Sequence, residues 1–427
     1  MTPDYLKDEF LKVLDRQYFS NRTDTIRKNA FDSFKENGLP DKKLEDWRFT
    51  DLSSVRKGDY KIPDHDDAPK EVIDLPQFGL DSFETMVFIN GRYQDNISSV
   101  PKNVNVMSNQ EYMEKFNWEV YQPNMSPFDL LNTAFMDSGI CIVIGEGIKV
   151  DVPLRMLFIS SEASGTMITP RIHLDIEESS SMELIEQHVG HSGEYLCNAS
   201  TVINVENNAS LNHVRIQNSS RNTINMANIH VKQHKDSNYT FSQFAFGGEL
   251  SRLNLYTEML GKNANCSISG LNLSDKRQHL DSNIVTCHYS SHCTSSQNFK
   301  SVLKDQSSGV FNGKSIVQIN AEKTDSNQSN KNLLLSDQAI MNSNPQLEIH
   351  TDDVKCSHGS TTGELDTDAL FYMRSRGIDE QSAIAILVNG FVSEIIDDIN
   401  HIEVVNYLRG YFKNWIEENY EHSESIK

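Results

Sequence analysis

The chain has 427 residues, with 39 basic and 60 acidic side chains and a formal net charge of −21 at pH 7. That length exceeds one ordinary compact core and suits roughly two or three domains. A charge of this sign opposes non-specific binding to nucleic acid, whose phosphates need Lys and Arg, and fits protein or cationic partners.

The opening "MTPDYLKDEFLKVLDRQYF" is charged and lacks the apolar stretch of a signal peptide. No segment approaches the roughly 18 uncharged apolar residues of a membrane span. A cytoplasmic protein is expected, with no membrane or nucleic-acid partner. Leu6, Phe10, Leu11 and Leu14 recur at helical spacing, and "NRTDTIRKNAFDSFKENGLP" reads as a second helix ended by Gly38 and Pro40. Residues 1–82 are therefore expected to form an N-terminal helical domain.

The texture changes after residue 83. "VFINGRYQ" predicts two short strands around Asn90-Gly91, a strong hairpin signal. "SPFDLLNTAFMDSG" predicts one short helix. From Ile142 onward the pattern is strand after strand, and it repeats. Polar turns beginning at Glu178, Glu206, Lys235 and Gly261 are 28, 29 and 26 residues apart. After the last three turns come Leu211-x-x-Val214-x-Ile216, Phe241-x-x-Phe244-x-Phe246 and Ile268-x-x-Leu271-x-Leu273. Such a period in strand-rich sequence points to stacked coils burying one continuous core. A β-sandwich is the rival, but a regular step without strong hairpin turns favours a parallel β-helix, expected to be right-handed and to span residues 83–363.

Residues 364–427 read as helical. Asp366 or Thr367 is placed to cap the first helix, Gly377 to end it, and Asp379 or Ser382 to start the second. These helices are expected to cover the open end of the solenoid. The fold class is thus mainly β, a parallel β-helix core flanked by N-terminal and C-terminal α-helical domains.

Three stretches bear on chemistry. "SSGVFNGKS" imitates a phosphate loop, but Gly309 stands one residue late for the Gly-x-x-x-x-Gly-Lys-Ser spacing, and a turn between coils is expected instead. "CHYSSHC" brings Cys287, His288, His292 and Cys293 together, with His279 and Asp281 nearby. These are metal-ligand types, yet strand alternation sends Cys287 and His288 to opposite faces, which favours a buried Cys and a surface His. None of the six cysteines, Cys141, Cys197 and Cys266 among them, forms a CxxC pair, so reduced thiols are expected. In "DDVKCSHGS" an extended backbone puts Cys356 and His358 on one face. Thiolate and imidazole suit iron, zinc or sulfur transfer, and equally an ordinary packed pair. A carbohydrate-active β-helix enzyme with clustered carboxylates is the alternative of a different class.

Several stretches together resemble the SufB/SufD family. They are "LPDKKLEDWRFTDL", "GVFNGKSIV", "LLLSDQAIMNSNPQLEIHTDDVKCSHGSTTGELDTDALFYMRSRGI" and "AILVNGFVSEII". The resemblance implies a non-catalytic subunit of the Suf iron–sulfur cluster assembly scaffold, and it is SufD-like rather than SufB-like at "VKCSHGS" and "NKNLLLS". The position of the SufB sulfur-accepting cysteine corresponds to Asn330. It also implies pairing with SufB through the β-helix ends, and a SufC ATPase docked near Ala369, Leu370, Tyr372, Arg376 and Phe391, so that no ATP site is expected in this chain. His358, with Cys356 beside it, would face iron or a nascent iron–sulfur cluster, held transiently and shared with SufB. An open solenoid end would also allow a homodimer of the isolated chain.

Overall fold

The computed structural model describes residues 3–15, 20–63, 75–116, 126–136, 139–160, 164–190 and 193–420. From Arg171 onward successive strands alternate between two sheets, and each pairs in parallel with the strand one coil away. In the first sheet Ser181–Gly190 is followed by Ser210–Asn218, Asn238–Ala245, Asn265–Ser274, Thr294–Leu303, Asp325–Leu334 and Lys355–Glu364. The second carries Leu196–Val205, Ile224–Gln233, Leu250–Met259, His279–His288, Ser308–Val317 and Ile340–Ile349. This is the expected parallel β-solenoid, with helices before and after it.

The turns explain the repeat. Ser179, Asn208, Asp236 and Asn263 all sit at positive φ, between 56° and 60°, one or two residues into the polar turns. Asn and Asp tolerate this left-handed region because their short side chains hydrogen-bond locally. Stacking adds bonds between coils: Asn263 Nδ2 donates to Asp236 Oδ1 at 2.9 Å.

The register corrects one alignment. Phe241 pairs with Ile268 and Phe244 with Leu271, as the repeat predicts. Leu211, however, pairs with Tyr239, and Phe241 with His213. The first motif is two residues out of step. A two-residue slip leaves every side chain on its original face, so the apolar pattern alone does not detect it.

The solenoid interior changes character along its length. Leu154, Leu174, Leu184, Leu211, Ile229, Phe241 and Leu255 fill the earlier coils. Later coils carry Thr286, Ser295, Gln297, Ser315, Ser326, Gln328 and Asn330, all buried. They are linked by hydrogen bonds such as Ser295 Oγ to Ser326 Oγ at 2.9 Å and Ser326 Oγ to Ser315 Oγ at 3.0 Å. Buried hydroxyls and amides require such partners.

The first sheet is apolar on its outer face as well. Val214, Ile216, Phe244, Phe246, Leu271, Leu273 and Val302 form a second stripe, and the helices Glu380–Asp397 and Ile402–Tyr420 bury it with Val388, Val392, Ile395, Leu408, Phe412 and Trp415. The expectation that these helices cover the solenoid's open end is therefore corrected. They follow the outer stripe, which offers apolar area, whereas the end strand "KCSHGSTTGE" offers almost none. Asp366 caps Thr367–Ser375, and Asp379 caps the next helix.

At the other end antiparallel strands close the sheets: Val104–Ser108 on Ile140–Ile144, and Arg92–Tyr93 on Glu84–Ile89 through the Asn90-Gly91 turn. The helices Asp4–Asp15 and Asn21–Asn37 share one apolar cluster with Pro127–Phe135, which begins at a capping box of Ser126 and Asp129. The "EDWRFT" segment fastens this cluster to the solenoid. Trp47 stacks on Phe128, and the Arg252 guanidinium lies 3.9 Å from its ring centroid. Thr50 Oγ1 lies 3.0 Å from His279 Nε2 and donates to Asp281.

Candidate functional site: the open rung of the solenoid

Lys355–Glu364 and Ile340–Ile349 are the last strands of their sheets, and each is paired on one side only. Together they form an end rung with two free strand edges. Strand edges present unpaired N–H and C=O groups that template pairing with another chain.

The register fixes which side chains this rung offers. Cys356 pairs with Ser326, His358 with Gln328, and Ser360 with Asn330. Ser326, Gln328 and Asn330 are buried in the interior, each only 1% exposed. Cys356, His358 and Ser360 therefore occupy inward-facing columns of the solenoid, but no further coil lies over them. His358 and Ser360 are exposed and Cys356 is half-buried. The same-face expectation for Cys356 and His358 thus takes a particular form: both project from the open mouth of a polar interior.

The rung is held from beneath. Ser360 Oγ donates to Ser343 Oγ at 2.7 Å, which ties the two end strands together. Ser343 Oγ donates to Asn330 Oδ1 at 2.7 Å, and Asn332 Nδ2 reaches the same oxygen at 2.6 Å. Asn330 therefore lies one coil inside the mouth, at the centre of this network. Burial, and then the Asp325 carboxylate, push the Cys356 thiol above its ordinary value, so the neutral thiol is favoured. Ser343 and Ser360 were not singled out from sequence. The signal for Ser360 is that it alternates in step with Cys356 and His358; Ser343 lies on the other sheet and is brought to them only by the coiling.

Other candidates are not brought together. Cys287 is buried and its Sγ contacts Tyr256 Oη at 3.3 Å. His288 is also buried, inside the solenoid, with Nε2 2.9 Å from Ser295 Oγ, and burial lowers its pKa to about 4. The expected surface His is thus a buried one, because its column continues the inward-facing Met259. His292 is the exposed member, in a turn at φ 62°, and Cys293 is buried. Among the described residues no group of three or more His, Cys, Asp or Glu side chains is placed to hold a metal ion. The phosphate-loop imitation is corrected from turn to strand, since Ser308–Val317 runs extended with Gly309 and Gly313 both buried. Alternation along this strand puts both glycines on the face that carries Phe311 into the core.

The expected docking residues lie on the first two C-terminal helices. Helix Thr367–Ser375 has no buried residue, and Phe371 and Tyr372 are 74% and 59% exposed. Arg376 lies 5.2 Å from the Tyr372 ring centroid, while Ala369 and Leu370 are half-buried. Phe391 is partly committed within the chain, for Lys300 Nζ donates to its carbonyl at 2.8 Å and sits 5.0 Å from its ring centroid. Sequence reasoning passed over Phe371, the most exposed aromatic of this helix. No helix among the described residues is long and apolar enough to cross a membrane.

The fold is thus a parallel β-solenoid with an open polar rung at one end and exposed aromatic side chains on a flanking helix. The chain belongs to the SufBD family. The model for the SufBD core domain of SUF-system iron–sulfur cluster assembly matches residues 158–391, and the SufBD N-terminal region matches residues 8–156. The chain is similar to SufD of Escherichia coli, 29% identical over 84% of this chain and 85% of that protein. It is similar also to a SufBD family iron–sulfur assembly protein of Synechocystis, 29% identical over 92% of each. The chloroplastic protein ABCI7 of Arabidopsis thaliana is 27% identical over 91% of this chain and 85% of its own length.

Proposed function

We propose that the chain is a non-catalytic, SufD-type subunit of an iron–sulfur cluster assembly scaffold, completed by a SufB-type chain at the open rung. The observation that carries this reading is the rung itself: two strands each free along one edge, with Cys356 and His358 at the mouth. A SufB-type solenoid end would continue both sheets. His358 would then offer its imidazole to iron or to a nascent cluster, which is cargo here, and Cys356 would lie beside it in a supporting role. The remaining ligands would come from the second chain, since no three-ligand group exists among the described residues.

Helix Thr367–Ser375 supports a second docking event. A helix that buries none of its own residues gains its stability from a partner, and Phe371 with Tyr372 gives an aromatic anchor of the kind that dominates interfaces. A SufC-type ATPase is the partner this reading assigns to it. In the isolated chain, the same free strand edges would pair two copies.

The test is co-purification with SufB- and SufC-type chains, followed by anaerobic reconstitution. Retention of both partners, with less iron and sulfide bound when His358 is replaced by Ala, is the expected result. A chain that retains neither partner overturns the reading.

A further inference from the structure

We propose that the uncovered end of an asparagine ladder on the second sheet's outer face is a docking groove for a basic segment of a partner polypeptide. Asn228, Asn254, Asn283, Asn312 and Asn344 pair in register on five successive strands. The early part of this ladder is occupied. Asn254 Nδ2 donates to Asn228 Oδ1 at 2.9 Å, and Asn283 Nδ2 to Asn254 Oδ1 at 3.3 Å. Beside them the chain's own residues 126–128 are held. Asn198 Nδ2 donates to the Phe128 carbonyl at 2.9 Å, and Ser126 Oγ reaches Asn228 Oδ1 at 3.4 Å.

Among the described residues the later part is not occupied. Asn312 is only 7% exposed, yet neither its carboxamide nor that of Asn344 has a hydrogen-bond partner among the described residues. Both line a groove of about 440 Å³. Neither carboxamide is committed among the described residues, so each can pair with a bound donor–acceptor group. A carboxamide offers two donors and an acceptor, which matches a peptide unit. The covered end shows related contacts: Asn228 takes the Ser126 hydroxyl, and Asn198, two residues out of the ladder's register, takes the Phe128 carbonyl.

The rim sets the charge of the occupant. Glu45 and Asp46 form one wall, and Gln346 Nε2 donates to Glu45 Oε1 at 3.0 Å. The cation of the groove, Lys314, is held by Glu348 at 2.8 Å. The groove lining thus carries two carboxylates, Glu45 and Asp46, and one ammonium that Glu348 outside it already pairs. An acidic ligand is repelled and a neutral saccharide gains nothing from the rim, whereas a Lys or Arg side chain next to a free peptide unit uses both features.

The experiment pans a random octapeptide library on the full chain and measures the enriched peptides by fluorescence anisotropy. Enriched sequences are expected to carry Lys or Arg. Their binding should weaken at least tenfold with Asn312→Ala and with Asp46→Lys, at unchanged thermal midpoints. Asp46 is exposed, so its variant carries the test alone if the Asn312 variant does not fold. No enrichment, enriched peptides without a basic residue, equal binding by both variants, or groove binding of maltohexaose in place of peptide each overturns the proposal. The readout is peptide binding by the chain alone, and it leaves the iron–sulfur reading of the open rung untouched.

Discussion

His358 stands in register with Gln328, at the free end of a column that runs back through Gln297, Ile268, Phe241 and His213 to Leu184. An interior position has become a surface position only because the coiling stops. Replacing it should therefore leave the fold alone. His358→Ala is expected to shift stability by no more than about 0.5 kcal/mol, as for other exposed sites, and to lower the iron and sulfide held by the assembled complex. Cys356→Ser should be milder in the same assay. Equal cluster content for wild type and the His358 variant would remove this residue from the site.

Deep in the solenoid, Glu186 accepts from Arg215 Nε at 3.0 Å, lies 3.1 Å from His213 Nε2 and contacts His188. All four side chains are buried, and Arg215 with its neighbours holds the Glu186 carboxyl well below the usual carboxylate range against the opposing effect of burial. Glu186→Ala leaves the guanidinium buried without its counter-charge, so a loss of about 3–5 kcal/mol is expected. The double variant Glu186→Leu with Arg215→Met should lose less than the two single changes combined. Urea midpoints of the four chains measure this coupling, and strict additivity would contradict it.

The pair His230 and Asp129 gives a pH signature. Their Nε2–Oδ2 distance is 3.0 Å, and the pair joins the capped helix Pro127–Phe135 to the second sheet. Burial works against the imidazolium, but the Asp129 carboxylate outweighs it and raises the His230 pKa above 6.5. Asp129 is lowered below 3.8, for His230 and the Ser126 bond overcome its burial. A raised His contributes fully below its unfolded pKa and loses the contribution as pH rises through the folded one. A lowered Asp contributes above its unfolded pKa and loses the contribution as pH falls through the folded one. The pair thus supports the helix most between about pH 4 and 6.5. His230→Ala should cost about 1.5–3 kcal/mol near pH 5.5, and the difference from wild type should shrink by pH 9. A gap that is constant across this range would show that the imidazolium is not involved.

Much of this architecture was legible because the solenoid repeats its turns. The polar turns at Glu206, Lys235 and Gly261 announced the coil length, and the left-handed Asn208, Asp236 and Asn263 are the reason those residue types recur. The placement of the C-terminal helices was not legible. It depends on Phe244, Leu271 and Val302 facing outward, which only the pairing register reveals. The site was legible in part. The spacing of Cys356 and His358 put them on one face, but whether that face looked into the solenoid or away from it depended on Ser326 and Gln328 one coil below. The cluster at Glu186 escaped notice because its members lie in two strands, brought together only by coiling.

The free edge itself gives the most direct test of partner pairing. Lys355 N donates to the Thr324 carbonyl at 2.8 Å, toward the coil below. In a parallel ladder alternate residues direct both backbone groups to the same side. The N–H groups of Cys356, His358, Ser360 and Thr362 therefore point away from the solenoid, to the side where a partner strand would add. Proline lacks that N–H and is tolerated on edge strands when the missing group faces solvent. Thr362→Pro should keep the chain folded, because the backbone ladder to Asp325–Leu334 is made by the other residues of the strand and the change removes only the Asn332 Nδ2 bond to Thr362 Oγ1 at 3.2 Å. It should still abolish strand addition, with the docking helix Thr367–Ser375 unaltered. The expected outcome is a chain that retains a SufC-type partner but no longer captures a SufB-type chain. Capture of the SufB-type chain at wild-type strength would show that the two proteins meet through some other surface.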